Sequence, residues 1–141
     1  MFKIKIITIG KIKESWLEEA LQEYTIRLKK GLSIEWVLAK NTQQLEALIE
    51  KESAYCCLDP QGKAFTSEEF AVWFQKELVK GGARMTLIIG GDIGLSSKVK
   101  KEASTLISLS RLTFTHQLTR LILLEQIYRA LEIERGSPYH K

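Results

Sequence analysis

Apolar residues recur along this chain with two different periods, and the switches between them mark out its elements. Phe2–Ile9 (FKIKIITI) is rich in β-branched residues and is followed by Gly10, which predicts a strand. From Glu14 to Lys30 the spacing becomes helical, with Trp16, Leu17, Ala20, Leu21, Tyr24 and Leu28 on one expected inner side. Ser33–Leu38 reads as a second strand and Thr42–Glu52 as a short helix with Leu45, Leu48 and Ile49 inward. Ala54–Leu58 (AYCCL) reads as a third strand, stopped by Asp59-Pro60-Gln61-Gly62. Thr66 with Glu69 has the form of a capping box. It opens a helix to Lys80 whose buried side holds Phe70, Trp73, Phe74 and Leu78. Met85–Ile89 (MTLII) is almost continuously apolar, as expected of a central parallel strand covered on both faces. A glycine-rich loop follows, then a helix over about 97–105, a strand-like stretch Leu106–Phe114, and a long helix from about Gln117 to Arg135.

Strands alternating with helices predict an α/β fold, a mostly parallel sheet with helices on both faces. The 141 residues carry no linker or repeat and are expected to form one domain. Ligands in such sheets lie beyond the carboxyl ends of the strands. Three loops there are candidates: after Leu58, after Ile89 and around Ser110.

Charge adds a hint about partners. The net charge is +4, with both ends of the chain basic and residues 31–80 acidic. Such a distribution favours a polyanion such as RNA. Without a signal segment or an apolar run long enough to span a bilayer, a cytoplasmic protein with no membrane partner is expected. Cys56 and Cys57 are adjacent and are the only cysteines. On a strand they face opposite ways, and no ligand spacing for a metal accompanies them, so both read as core residues and no metal is expected.

The most specific local feature is Gly90-Gly91-Asp92-Ile93-Gly94 behind a buried strand. Its pattern is G-G-x-x-G, not the G-x-G-x-x-G of dinucleotide loops. No acid lies about twenty residues on to hold a ribose. Spacing alone leaves a ligand loop and a plain tight turn equally open. No activated nucleophile is visible. His116, at a helix start, is a candidate cap or contact. Glu125 and Arg129 stand at i,i+4 and can pair. The last helix is apolar around much of its girth (Leu118, Leu121, Ile122, Leu123, Leu124, Ile127, Tyr128, Leu131). That suggests cover by its own sheet and by a second subunit.

Five motifs in order carry a resemblance. They are Leu58-Asp59-Pro60-Gln61-Gly62-Lys63, Ile89-Gly90-Gly91 with Gly94-Leu95, Leu109–Phe114 with His116-Gln117, Glu125-Gln126-Ile127-Tyr128-Arg129-Ala130, and Tyr139-His140-Lys141. In these the chain resembles the RlmH type of SPOUT ribosomal-RNA methyltransferases over essentially its whole length. The resemblance implies a SPOUT fold with a C-terminal trefoil knot, a homodimer, and S-adenosylmethionine (SAM) as methyl donor. By motif, the cofactor contacts fall on Leu58, Gly90, Leu109, Ser110, Arg111, Leu112, Thr113 and Phe114. The implied substrate is a pseudouridine of 23S rRNA in the ribosome, methylated at ring nitrogen 3. His140, Tyr139 and Arg129 are the residues expected to act on the RNA side, with Arg120 a further candidate cation. Thr115 and Ile93 depart from the family, which has proline and commonly a polar residue there, and the stretch 39–53 is short. Two other readings of the same fold are a Rossmann-like nucleotide-binding domain and a ribosome-binding factor without activity.

Overall fold

The structure is a computed structural model describing residues 1–141. Five strands, β1 (Phe2–Ile9), β2 (Leu32–Ala39), β3 (Cys56–Ala64), β4 (Arg84–Ile89) and β5 (Thr105–Ser108), form one sheet in the order β2-β1-β4-β3-β5. Every pairing is parallel. The helices are α1 (Ser15–Leu28), α2 (Thr42–Glu50), α3 (Ser67–Lys80), α4 (Ser97–Glu102) and α5 (His116–Glu134).

Side-chain alternation along the strands divides the core in two. Ile4, Ile6, Cys56, Leu87 and Ile107 face α1, α3 and α5, whose Leu21, Phe74, Leu123 and Ile127 pack onto them. Ile7, Cys57 and Ile88 face the other way, against Leu45 and Ile49 of α2 and Val99 of α4. The two cysteines therefore point to opposite faces, as their adjacency predicts. Burial pushes the Cys56 thiol up to about 11 and the Cys57 thiol up to about 12, so neither ionises near neutrality.

The structure corrects several boundaries. Asp59-Pro60-Gln61-Gly62 does not end β3. The segment bulges out and returns, so that Leu58 and Lys63 both pair with Ile107 of β5. The return brings backbone against backbone. A Cβ on Gly62 would lie 2.7 Å from Ile107 N and from Leu106 C, which only glycine avoids. Residues 106–114 are not one strand, because β5 stops at Ser108 and the rest is loop. α4 ends at Glu102, short of Thr105. Trp16 is not on the inner side of α1. It stands 56% exposed, while Leu17, Leu21 and Leu28 hold the buried face. Periodicity admits Trp16 to the apolar stripe, but it lies on the flank shared with the half-buried Ala20 and Tyr24, beside the buried line of Leu17, Leu21 and Leu28.

Candidate active site

A cavity of about 480 Å³ opens at the carboxyl ends of β4 and β5, beside the bulge within β3. Segments from all three loops line it: Leu58–Pro60, Ile89–Asp92 with Gly94 and Leu95, and Leu109–Phe114 except Arg111. His116 and Thr119 of α5 close one side. The volume lies in the range of cofactor sites, roughly 300–1,000 Å³.

Each wall has a local cause. The second half of β4, Leu87–Ile89, is buried on both faces, so its end delivers Gly90 and Gly91 to the cavity at a fixed height. Ser108 donates to Ser110 O at 2.8 Å, and Ser110 Oγ accepts from Leu112 N at 3.0 Å, which folds the third loop back on itself. Thr115 caps α5 by accepting from Leu118 N at 3.1 Å. It does by hydrogen bonding what proline at that place does by fixing the backbone.

Two carboxylates stand at the cavity. Asp59 is buried, its Oδ1 accepting from Gln61 N at 3.2 Å. Lys100 Nζ sits 3.0 Å from Asp59 Oδ2 but off hydrogen-bond alignment, which leaves that oxygen buried without a donor. Asp92 is exposed and places Oδ1 2.9 Å from His116 Nδ1, again without alignment. Both buried polar atoms, Asp59 Oδ2 and His116 Nδ1, belong to lining residues and are turned to the charged neighbours just named, away from open solvent. Leu58, Ile89, Leu95, Leu109, Leu112 and Phe114 give the same cavity apolar walls. The cavity thus combines apolar walls with the charges of Asp59, Asp92 and Lys100. No group of three or more His, Cys, Asp or Glu is placed to hold a metal ion.

A second constellation lies nearly three turns further along α5, roughly 15 Å from Thr119 at the helical rise per residue. Here Gly136 turns the chain with φ 71° and the tail folds back. Tyr139 donates its hydroxyl to Glu125 Oε2 at 2.7 Å. Arg129 grips the same carboxylate with Nη2 at 2.9 Å and Nε at 3.3 Å, and its Nη1 lies 2.9 Å from His140 Nδ1. His140 Nε2 reaches Glu68 of α3 at 3.2 Å. The Tyr139 ring meets Tyr128 edge-on at 4.8 Å, with the Arg129 guanidinium over its face at 4.9 Å. Burial, followed by the bond to Glu125, pushes the Tyr139 hydroxyl well up, and Glu125 holds Arg129 firmly protonated. The tail is thus packed, not frayed.

The family described as "Predicted SPOUT methyltransferase" matches residues 2–140. The chain belongs to this family. A protein of Protochlamydia amoebophila named ribosomal RNA large subunit methyltransferase H is 55% identical over all of both chains. One of the same name from Streptococcus thermophilus is 41% identical over 99% of each. A structure described as a methyltransferase from Bordetella pertussis superposes with TM-score 0.57 at 9% identity, over 92% of this chain and 96% of the other. Another, from Legionella pneumophila with bound SAM, gives 0.53 at 15% identity, over 92% and 66%. At such identities these two speak for a SPOUT-like fold alone.

Within this SPOUT chain the expected site residues divide. Leu58, Gly90, Leu109, Ser110, Leu112, Thr113 and Phe114 line the cavity. Arg111 does not; its side chain points to solvent. Tyr139, His140 and Arg129 come together, but in the distant cluster. Arg120 is no candidate cation for chemistry, being 1% exposed and engaged with main-chain carbonyls of Ile9 and Gly10. Gly90 also has a reason beyond ligand approach: a Cβ there would meet Leu95 Cγ at 3.0 Å and Gly94 C at 3.1 Å, within its own loop. Sequence reasoning missed Asp59, Lys100 and Leu95. Asp59 carries a visible signal, an acid directly after the apolar run Tyr55–Leu58. Lys100 has none, since a lysine on a short helix is commonplace.

Proposed function

We propose that this chain is a SAM-dependent methyltransferase acting on large-subunit ribosomal RNA, at ring nitrogen 3 of a pseudouridine in the ribosome, and that it works as a homodimer. The observation that carries the reading is the three-loop cavity at the strand ends, in a chain 55% identical to a relative so named. Leu58, Gly90 and residues 109–114 are assigned to the cofactor. Arg111 then serves through its backbone, because its side chain is turned away. Bound SAM supplies an electrophilic methyl on a sulfonium, so the chain needs neither a metal nor a nucleophile of its own.

The protein's part is to align the acceptor and ease its proton away. Alignment in one site contributes on the order of 7–11 kcal/mol. The ring nitrogen to be methylated is an imide that is largely protonated at neutral pH, so a nearby cation or base speeds transfer. Arg129 and His140 are assigned to that task. Tyr139 acts as a positioning residue through Glu125, since its raised ionisation bars it from accepting a proton. One protomer keeps these groups far from its own cavity, so we place the tail of one protomer against the cavity of the other. α5 supports this. Its Leu118 and Ile122, one turn apart on the same face, are half-exposed and join neither core cluster, a start for a twofold contact of at least roughly 1,200 Å². The trefoil crossing belongs to the same proposal and is supported by the family match over residues 2–140. So does the assignment of 1–141 as a single catalytic domain.

Titration with SAM, NAD and ATP, followed by methyl transfer to unmodified bacterial ribosomes, tests the reading. SAM alone should bind, at micromolar level, and the label should enter 23S rRNA. Binding of NAD or ATP in its place would make this a nucleotide-binding domain. Ribosome binding without SAM affinity would make it a non-enzymatic factor.

A further inference from the structure

We infer that the turn between β1 and α1, Gly10–Trp16, is a second RNA-contacting surface beside the cofactor cavity, taking unpaired nucleotides that flank the target base. This rests on the reading of the chain as an rRNA methyltransferase.

The starting observation is the way α5 holds this turn. Three successive main-chain carbonyls accept side-chain donors from α5. Arg120 Nη2 donates to Ile9 O at 2.8 Å and to Gly10 O at 2.7 Å, and Gln117 Nε2 donates to Lys11 O at 3.0 Å. Gly10 N in turn donates to Ala39 O at 2.8 Å. A surface turn needs none of this, since water satisfies exposed carbonyls. Arg120 moreover forms no ion pair. Its guanidinium is buried with Nε unpartnered and Trp36 at 6.0 Å as its remaining neighbour of note. A buried cation without a carboxylate is a costly way to order a turn. It makes sense where the placement of that turn matters.

What the turn presents is matched to single-stranded nucleic acid. Lys11 and Lys13 are exposed and in no ion pair, as is Lys40 on the neighbouring loop after β2. Trp16 follows them with its indole 56% exposed. Lysines for phosphate beside a bare aromatic face for a base are the two elements of sequence-tolerant single-strand binding. Glu14 is the one acid in the stretch.

The position fits as well. Ile9 packs against the glycine loop, its Cδ1 3.2 Å from where a Cβ on Gly91 would lie. His116 and Thr119 line the cavity, and Gln117 and Arg120, their neighbours on α5, hold the turn. The turn and the cavity wall are therefore one rigid piece, and RNA seated on Lys11, Lys13 and Trp16 is held in fixed relation to the methyl donor. Gln117 and Arg120 are positioning residues in this arrangement.

The test compares the intact protein with Lys11→Ala/Lys13→Ala, Trp16→Ala and Trp16→Phe. The readouts are steady-state methyl transfer to unmodified ribosomes at two salt concentrations, SAM titration and sedimentation. The lysine pair variant should raise KM for ribosomes about tenfold and flatten its salt dependence by about two phosphate contacts. Trp16→Ala should raise KM to a similar degree and Trp16→Phe should largely restore it. SAM affinity and sedimentation should stay those of the intact protein. Unchanged KM in these variants, with the intact protein active, overturns the inference. So does a loss of dimer in Trp16→Ala, which would assign the indole to the subunit interface. An intact protein that transfers no methyl to ribosomes overturns the functional reading itself, and this inference with it.

Discussion

The cavity and the tail cluster share one helix and are built by opposite means. Around the cavity, shape comes from main chain: glycines delivered by a buried strand, a loop folded on its own serines, a cap at Thr115. In the tail cluster, shape comes from ionisable side chains that hold one another, with Glu125 at the centre gripped by Arg129 and Tyr139. The first suits a cofactor that brings its own reactivity and needs only to be placed. The second suits proton chemistry, which depends on charge. A single protomer keeps the two apart, and that separation is the structural argument for a shared site.

The largest effect is expected at the cavity. Gly90→Val forces Leu95 and the Gly94 backbone to move, so SAM affinity should fall by at least about 100-fold, near 2.7 kcal/mol. The fold and the tail cluster should be untouched, as read by calorimetric titration and by the unfolding midpoint. Micromolar SAM binding in that variant would remove the glycine loop from the cofactor site. From the other side, truncation after Gly136 should leave SAM affinity and dimer mass intact. It should lower transfer to ribosomes by at least about tenfold, roughly 1.4 kcal/mol of transition-state stabilisation. Mixing tail-less protomers with Gly90→Val protomers sharpens the point. Heterodimers then carry one complete site if the tail acts across the interface, and activity should reappear. No recovery would place the tail on its own protomer's cavity.

A smaller effect is expected from Arg129→Lys. It keeps the charge but loses the two-pronged grip on Glu125, and transfer should drop about fivefold, near 1 kcal/mol. The smallest effect is a pH dependence of stability. Burial favours the neutral thiols, holding Cys56 and Cys57 near 11 and 12, whereas an unfolded chain ionises them at about 8.5. Their contribution is fully present below about pH 8.5 and is lost as pH rises through the folded values. Urea midpoints should therefore fall between pH 8 and pH 10.5, and Cys57→Ala should lessen the fall. Thiol reagents at pH 8 should leave the native protein unlabelled.

Much of the fold was legible because its signals are local. β1 and β4 announce themselves as apolar runs, Thr66 and Glu69 form the capping box they suggest, and two of the three candidate loops sit where parallel strands end, the third being a bulge within β3. What was not legible depends on contacts distant in sequence. Proline and glycine after Asp59 read as a stop, yet β3 resumes at Lys63 because β5 offers it a second pairing. An arginine in an apolar helix gives no sign that it will be buried against Ile9 and Gly10. Nor does Gly136-Ser137-Pro138 show that the tail will return to α5. In the site, motif resemblance named seven of the cavity-lining residues, and the side chains of Arg111, Tyr139, His140 and Arg129 were beyond its reach. Motifs say which residues recur together, not which way they face.

Arg120 also bears on when the molecule becomes competent. Its bonds to Ile9 and Gly10 join positions separated by 111 and 110 residues, among the most remote pairings in the chain. Contacts of that span are slow to form, because the entropy of closing so long a loop is lost before the contact repays it. During synthesis the β1–α1 turn leaves the ribosome early but cannot be fixed until α5 emerges near the end. The turn beside the cavity is therefore among the last parts of the protein to set, and a nascent or truncated chain lacking α5 would leave it unfixed.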